Sequence, residues 1–132
     1  MASRHTMQRE ISPAELGLNA ATGLDAGTKN SSSFDCSGFN QLSLDVFLDR
    51  GNGSSVTFQI EVSPDNSTFH LLQASSISSG TATLSDLTYS KATGGDKHFT
   101  VDMPLNYEFV RVANITAGST DAITVTARLA NL

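Results

Sequence analysis

Apolar and polar residues alternate along the chain from Phe34 onward, with a period of two. In each alternating run the apolar side chains fall on one face of an extended strand and the polar ones on the other. The clearest apolar sets are Leu42, Leu44, Val46 and Leu48; Val56, Phe58, Ile60 and Val62; Phe99, Val101 and Met103; and Ile123, Val125, Ala127 and Leu129. One buried face and one wet face is typical of antiparallel sheets. The pattern predicts an all-β domain over residues 34–132, an antiparallel β-sandwich or jelly roll of about seven to eight strands.

Two further segments add detail to this prediction. The stretch 107–113 is apolar on both faces, which indicates a central strand. The sequence SPDN (63–66) separates two alternating runs, and Pro64 fixes the backbone angle that a tight turn requires. Ser67 then re-enters a strand. We therefore interpret SPDN as the corner of a hairpin and not as a ligand site.

Residues 1–33 lack the period of two and are rich in Gly and Ser. Ser12, Pro13 and Glu15 form a capping-box pattern, and Gly17 follows it, so we expect one short helical turn. The rest is interpreted as an extended N-terminal arm that gains order against a neighbouring chain. The candidate contact residues of this arm are Arg4, Arg9, Leu16, Leu18 and Leu24.

Two other regions are candidates for contact with a partner. Residues 73–97 form a long Ser/Thr/Gly-rich stretch in which only one weak strand, around 83–89, is expected. We interpret it as either an interaction loop or a mobile surface excursion, with Leu84, Leu87 and Tyr89 as its candidate contacts. Phe47 lies on the polar phase of its strand, and an outward Phe is typical of a subunit contact.

Charge and composition exclude several classes of partner. The net charge is -5 and the eight Lys and Arg residues are scattered, so we expect no nucleic-acid binding. No stretch is apolar and long enough to cross a membrane. Cys36 is the single cysteine, which excludes an intrachain disulfide, and we expect it to be a small buried residue at the start of a strand.

Catalytic and metal chemistry find little support in the sequence. His5, His70 and His98 lie in no recognisable motif, and His70 and His98 fall on outward strand positions. The loop 49–53 lacks the alternating acidic ligands of a calcium site. We therefore expect no enzyme activity, no metal and no cofactor, although the three histidines could still converge in space. Arg111 lies in an apolar strand, where it either pairs with Glu61 or Asp102 or anchors an interface.

The segments FQIEVSPDNSTFHLL, KHFTVDMPLNYEFVRVANI and AITVTARL, in this order, resemble small β-sandwich proteins of tailed bacteriophages. The capsid decoration, or cement, proteins are the class that fits a compact acidic domain. That resemblance implies a non-enzymatic virion protein on the capsid exterior, made in the host cytoplasm. It would bind the major capsid protein as a symmetric oligomer, with a trimer favoured.

The hairpin whose corner is SPDN (63–66) is also similar to that of discoidin-like and other carbohydrate-binding sandwiches. The chain departs from them because Phe69 stands where they have Trp, and because no disulfide closes the domain. The alternative function is therefore a carbohydrate- or receptor-binding module of a phage tail or fibre, with Tyr89 and Tyr107 as the aromatic residues to test.

Overall fold

The computed structural model describes residues 7–49, 55–92, 94–118 and 120–132. They form one short helix and eleven strands. The elements are β1 (Met7–Ile11), α1 (Pro13–Leu16), β2 (Phe34–Asp35), β3 (Gln41–Asp49), β4 (Ser55–Ser63), β5 (His70–Leu71), β6 (Gln73–Ser78), β7 (Thr81–Asp86), β8 (Thr88–Ala92), β9 (Lys97–Pro104), β10 (Phe109–Thr116) and β11 (Ala122–Asn131).

The strands build two antiparallel sheets and a separate hairpin. One sheet has the order β1-β11-β3-β9, and the other has the order β2-β10-β4-β5, with β8 also paired to β4. Because β5 and β8 pair with successive parts of β4, they are two pieces of a single edge strand. Counted this way, the two sheets contain eight strands in the order of a jelly roll. The all-β sandwich prediction is confirmed, and the strand order selects the jelly roll.

The core lies between the two sheets, where the alternating apolar residues meet. Val46 and Leu48 on β3, Ile60 on β4 and Ile123 on β11 are each at most 1% exposed. Full burial of one such side chain contributes about 1.5–3 kcal/mol before entropy costs. β10, the predicted central strand, does lie between β2 and β4. The predicted buried faces are therefore the observed ones.

The segment before residue 34 differs from the predicted arm. β1 pairs with β11 from Met7–Asn131 to Ile11–Ala127 and forms the edge of the first sheet. Leu16, Leu18 and Leu24 are 1%, 0% and 5% exposed and belong to the core of the same chain. Residues 7–33 are thus an integral part of the domain, and residue 33 does not mark a boundary of the packed unit.

Backbone hydrogen bonds explain how this irregular segment stays ordered. Its amides and carbonyls bond to both sheets: Val125 N donates to the Leu18 carbonyl (3.0 Å), and Ser31 N donates to the Val112 carbonyl (2.8 Å). Val112 N in turn donates to the Ser31 hydroxyl (2.9 Å). Since buried backbone groups must find partners, these bonds allow a chain without strand periodicity to bury its leucines. The segment closes the side of the sandwich between β10 and β11.

The predicted helical turn is confirmed in full. Ser12 and Glu15 form the reciprocal capping box at the start of α1, and Gly17 ends it with a left-handed backbone (φ 73°). The turn delivers Leu16 to the core. Its helical geometry therefore serves packing within the chain.

Candidate interaction surfaces

The long Ser/Thr/Gly stretch contains a regular hairpin where the sequence predicts a loop. β6 and β7 pair over six positions, and their connection is the two residues Ser79 and Gly80. Both have positive φ, 50° and 79°, as the type I′ turn favoured in tight hairpins requires. At the base, the Gln73 side-chain amide donates to Asp86 Oδ1 at 2.7 Å. The prediction of a single weak strand in 83–89 is therefore wrong for this part of the chain.

This hairpin has one apolar face and one hydroxyl-bearing face. Ile77 lies opposite Ala82, and Leu84 lies two pairs away opposite Ser75, so the three apolar side chains share one face. Ile77 is 77% exposed and Leu84 is 67% exposed. We call Ile77, Ala82 and Leu84 the apolar hairpin face. Ser76 and Thr83, paired with each other, lie on the opposite face.

The hairpin is inserted in the middle of the edge strand of the second sheet. β5 ends at Leu71, where the Leu72 amide still donates to the Ile60 carbonyl (3.0 Å). The chain then leaves the sheet through β6 and β7 and returns to pair with β4 again from Thr88. The Leu87 amide closes the base by donating to the Leu72 carbonyl (3.0 Å). The insertion thus projects from the sandwich without interrupting β4.

The three predicted contact residues of this region have different surroundings. Leu84 is exposed on the hairpin, as expected for a contact residue. Leu87 is half-buried at the hairpin base. Tyr89 stacks on Phe58 with ring centroids 5.3 Å apart and 18° between the planes, so it covers the edge of this chain's core. Ile77, which sequence reasoning missed, is more exposed than any of them.

A groove of about 560 Å³ lies beside the hairpin base. We call it the edge groove. Its apolar walls are Val62, Pro64, Leu71, Leu72 and Tyr107, and its polar groups come from Ser63, His70, Gln73, Asn106 and Glu108. Tyr107 is 41% exposed, and the Ser37 hydroxyl donates to Glu108 Oε2 and orients that carboxylate. The volume lies within the range of small-molecule pockets.

The SPDN turn forms one wall of the edge groove. The Ser63 hydroxyl accepts from the Asp65 and Asn66 amides, and Asp65 Oδ1 accepts from the Ser67 and Thr68 amides at 2.9 Å. These amide donors, first that of Thr68, hold the pKa of Asp65 below its usual value. The hairpin corner is confirmed, but the strand resumes at His70, three residues after the predicted Ser67, because the carboxylate fixes the intervening backbone.

Arg111 forms the expected pair with Glu61. Its Nε donates to Glu61 Oε1 at 2.7 Å, and its guanidinium carbon lies 3.9 Å from the ring centroid of Phe69. A charge-assisted hydrogen bond and a cation–π contact together fix this side chain on the outer face of the second sheet. Arg111 therefore has a complete structural role within the domain.

Phe47 forms a separate apolar spot on the outer face of the first sheet. It is 40% exposed, and the His98 ring meets it edge-on with centroids 6.0 Å apart. Its surroundings are polar, since Asp45 pairs with Arg128 and accepts from the Thr100 hydroxyl at 3.0 Å. Phe47 is thus an isolated outward aromatic residue, as predicted from its phase in the strand.

Arg9 and Arg4 are the two charged residues among the predicted contacts of the N-terminal segment. The Arg9 guanidinium donates to the Asp35 carbonyl at 3.5 Å and links β1 to β2 across the two sheets. Arg9 also borders a polar cavity of about 390 Å³ with Gln8 and Glu10. Arg4 lies outside the described residues, as do His5 and residues 50–53 of the loop 49–53.

The described side chains assemble no recognisable metal centre. Within residues 7–49, 55–92, 94–118 and 120–132 no three His, Cys, Asp or Glu side chains cluster in a way that could hold an ion. His70 and His98 are exposed on different sheets, as their strand phases predict. In the same ranges no helix has the length and apolar character needed to cross a membrane.

Cys36 is buried as predicted, with 1% of its surface exposed, although it follows β2 and does not start a strand. Burial raises the pKa of its thiol to about 12. A thiol with so high a pKa is a poor nucleophile at neutral pH. Cys36 therefore acts as a packing residue.

Taken together, these features define an all-β jelly roll with a projecting hairpin, an apolar-walled groove at the hairpin base and one outward aromatic residue. No protein-family model matches the sequence, and no curated protein matches it. Among solved structures, the chain is similar to the SPBc2 prophage-derived protein YomS, with a TM-score of 0.55 and 11% identity over 99% of both chains. At this identity the similarity shows a shared fold along the whole chain.

Proposed function

We propose that the protein is a non-enzymatic structural protein of a phage virion, and specifically a head decoration protein. In this role it binds the major capsid protein on the outside of the head as a symmetric oligomer and stabilises the shell. The observation that carries the proposal is the hairpin β6–β7, which projects from the sandwich with Ile77 and Leu84 exposed on one face.

The energetics of the hairpin favour a partner. A two-stranded hairpin is marginally stable by itself in water, and in this one Ala74 is half-buried while every other residue is exposed. Burying Ile77 and Leu84 against another protein would contribute about 1.5–3 kcal/mol for each residue. On a repeating capsid lattice, several such contacts per oligomer act together and add avidity. A projecting element of this kind is suited to assembly.

Three further observations support the proposal. The fold is that of a prophage-derived protein over its whole length, and jelly rolls are common in viral capsids. The segment order resembles that of tailed-phage sandwich proteins. Phe47 offers a second apolar contact on the opposite sheet, so one oligomer could contact both the shell and its own neighbours.

Binding to phage heads that lack the protein tests the proposal. Purified protein should co-sediment with such heads and raise the temperature at which they release DNA. A Phe47→Ser or an Ile77→Asp, Leu84→Asp variant should bind more weakly, because each removes an exposed apolar contact. The matched control is Ser76→Asp, Ser85→Asp, which adds the same charges in the same diagonal relation to the opposite hairpin face. Wild-type protein that leaves the heads unbound at micromolar concentration would refute a decoration role.

The edge groove favours a second candidate, the carbohydrate- or receptor-binding module. It combines an exposed aromatic ring, Tyr107, with the polar side chains of His70, Asn106 and Glu108. An aromatic face with nearby hydrogen-bonding groups is a plausible chemistry for a sugar ring. In a glycan titration, Tyr107→Ala should abolish binding. Tyr89→Ala should not, because Tyr89 stacks on the core residue Phe58.

A further inference from the structure

We propose that the apolar hairpin face of one copy seats in the edge groove of the next copy, so that identical chains join head to tail in a closed ring. This inference rests on the proposed function, since it names how the oligomer of that function is held together. The partner of the apolar hairpin face, and likewise of the edge groove, is a second copy of this chain.

The two surfaces are complementary in character. The hairpin presents Ile77 and Leu84, which are 77% and 67% exposed. The groove offers about 560 Å³ between Leu71, Leu72 and Tyr107. Aliphatic side chains entering an apolar-walled groove remove water from both surfaces. Contact between the hairpin and the groove would therefore bury apolar area on both surfaces.

The hairpin cannot fill the groove of its own chain. Gln73, the first residue of β6, is part of the groove wall, whereas no later residue of the hairpin lines the groove. A strand of six residues spans about 20 Å, which carries the tip away from its base. The high exposure of Ile77 and Leu84 agrees with this arrangement. A docked hairpin must come from another molecule.

The charge distribution favours contact between copies at this place. The chain carries a net charge of -5, so two copies repel each other over much of their surface. Residues 73–85, QASSISSGTATLS, contain no Asp, Glu, Lys or Arg, and the one charged residue of the hairpin, Asp86, lies at its base. An uncharged element is the part of an acidic protein that can enter a neighbour without placing like charges together.

Interface size distinguishes head-to-tail contact from a symmetric pairing of two hairpins. One face of the hairpin measures about 20 Å by 10 Å, or about 200 Å². Two hairpins packed face to face would bury about that much per partner, well below the roughly 800 Å² of a stable interface. Since each copy gives one hairpin face and receives another, a ring buries about 400 Å² per copy, twice the area of the symmetric pair, and closure of the ring lets the contacts reinforce one another.

Sedimentation velocity without any capsid tests the inference. Wild-type protein should form one closed oligomer at micromolar concentration. Ile77→Asp, Leu84→Asp should be monomeric, and Tyr107→Asp should dissociate at least tenfold more readily than wild type. The control Ser76→Asp, Ser85→Asp, on the opposite hairpin face, should remain assembled. Circular dichroism should show that every variant is folded, since the changed residues are exposed or partly exposed.

Cysteine cross-linking identifies which surfaces meet. Mixing a Leu84→Cys variant with a Tyr107→Cys variant under mild oxidation should give a heterodimer, while each variant alone gives little dimer. The native Cys36 is buried and should not interfere. Leu84→Cys protein that dimerises efficiently with itself, or wild-type protein that stays monomeric, would overturn the head-to-tail arrangement. A ring that fails to bind heads would count against the decoration role alone, and a monomer that binds them would count against the ring alone.

Discussion

Replacement of Leu18 by alanine distinguishes a core residue from an arm residue. Leu18 is 0% exposed, and its carbonyl accepts from Val125 N on β11 at 3.0 Å. Removing a buried leucine side chain costs the transfer free energy of the lost atoms and leaves a cavity, which together amount to about 2–5 kcal/mol. We expect Leu18→Ala to lower the free energy of unfolding by about 3 kcal/mol.

Urea unfolding followed by circular dichroism measures this loss. With an m-value of about 2 kcal/mol/M, the unfolding midpoint should fall by about 1.5 M. The shift should be the same at low and high protein concentration, because the leucine packs within one chain. Leu132→Ala, at a side chain that is 72% exposed, is the matched control and should change stability by less than about 0.5 kcal/mol. A variant with an unchanged midpoint but a weakened oligomer would refute the assignment of Leu18 to the core and restore the arm.

Two further predictions concern titrating groups. Asp65→Ala should destabilise the protein at neutral pH, since a carboxylate with a lowered folded-state pKa contributes stability while it is ionised. In urea titrations the difference from wild type should shrink as the pH falls below about 4. A difference that is independent of pH would contradict this. Cys36, with a pKa of about 12, should resist Ellman's reagent in the native protein at pH 8, because on the order of one thiol in 10⁴ is ionised at that pH. The same thiol should react once the protein is unfolded. Rapid labelling of the folded protein would contradict its burial.

The alternating runs were sufficient to predict the sandwich. Where one strand face packs on the core, the side-chain period of two is imposed on the sequence, and Val46 and Ile123 follow it. The corner at SPDN was predictable for a similar reason, because Pro64 and Asp65 are explained by local backbone chemistry. The outward position of Phe47 followed from its phase in the strand.

The burial of the N-terminal segment could not be predicted from a periodic pattern of apolar residues. Leu18 and Leu24 reach the core from a backbone with neither helical nor strand periodicity, and their carbonyls accept from amides that lie far along the chain. Leu16 reaches the core from the end of a single helical turn. No local pattern records such contacts. Polar, Gly-rich sequence was therefore interpreted as an arm, although its few leucines are buried.

The projecting hairpin is not predicted from the sequence because its strands carry few apolar residues. β7 alternates but β6 does not, most polar positions are Ser and Thr, and only Ile77 and Leu84 are large and apolar. A hairpin that packs on nothing in its own chain has little need of an apolar stripe. The remaining signal was the Ser79-Gly80 pair between two short runs, which is typical of a two-residue turn.

The pairing of β1 with β11 has a consequence for the order of folding. The Ala20 amide donates to the Thr124 hydroxyl across a sequence separation of 104 residues, and the leucines nearby pack beside the same last strand. During synthesis at about 5–20 residues per second, these leucines would wait several seconds or longer for their partners. Contacts of such long range also slow folding in general. We infer that the two ends of the sandwich close last, and that the nascent chain is most prone to aggregation just before β11 emerges from the ribosome.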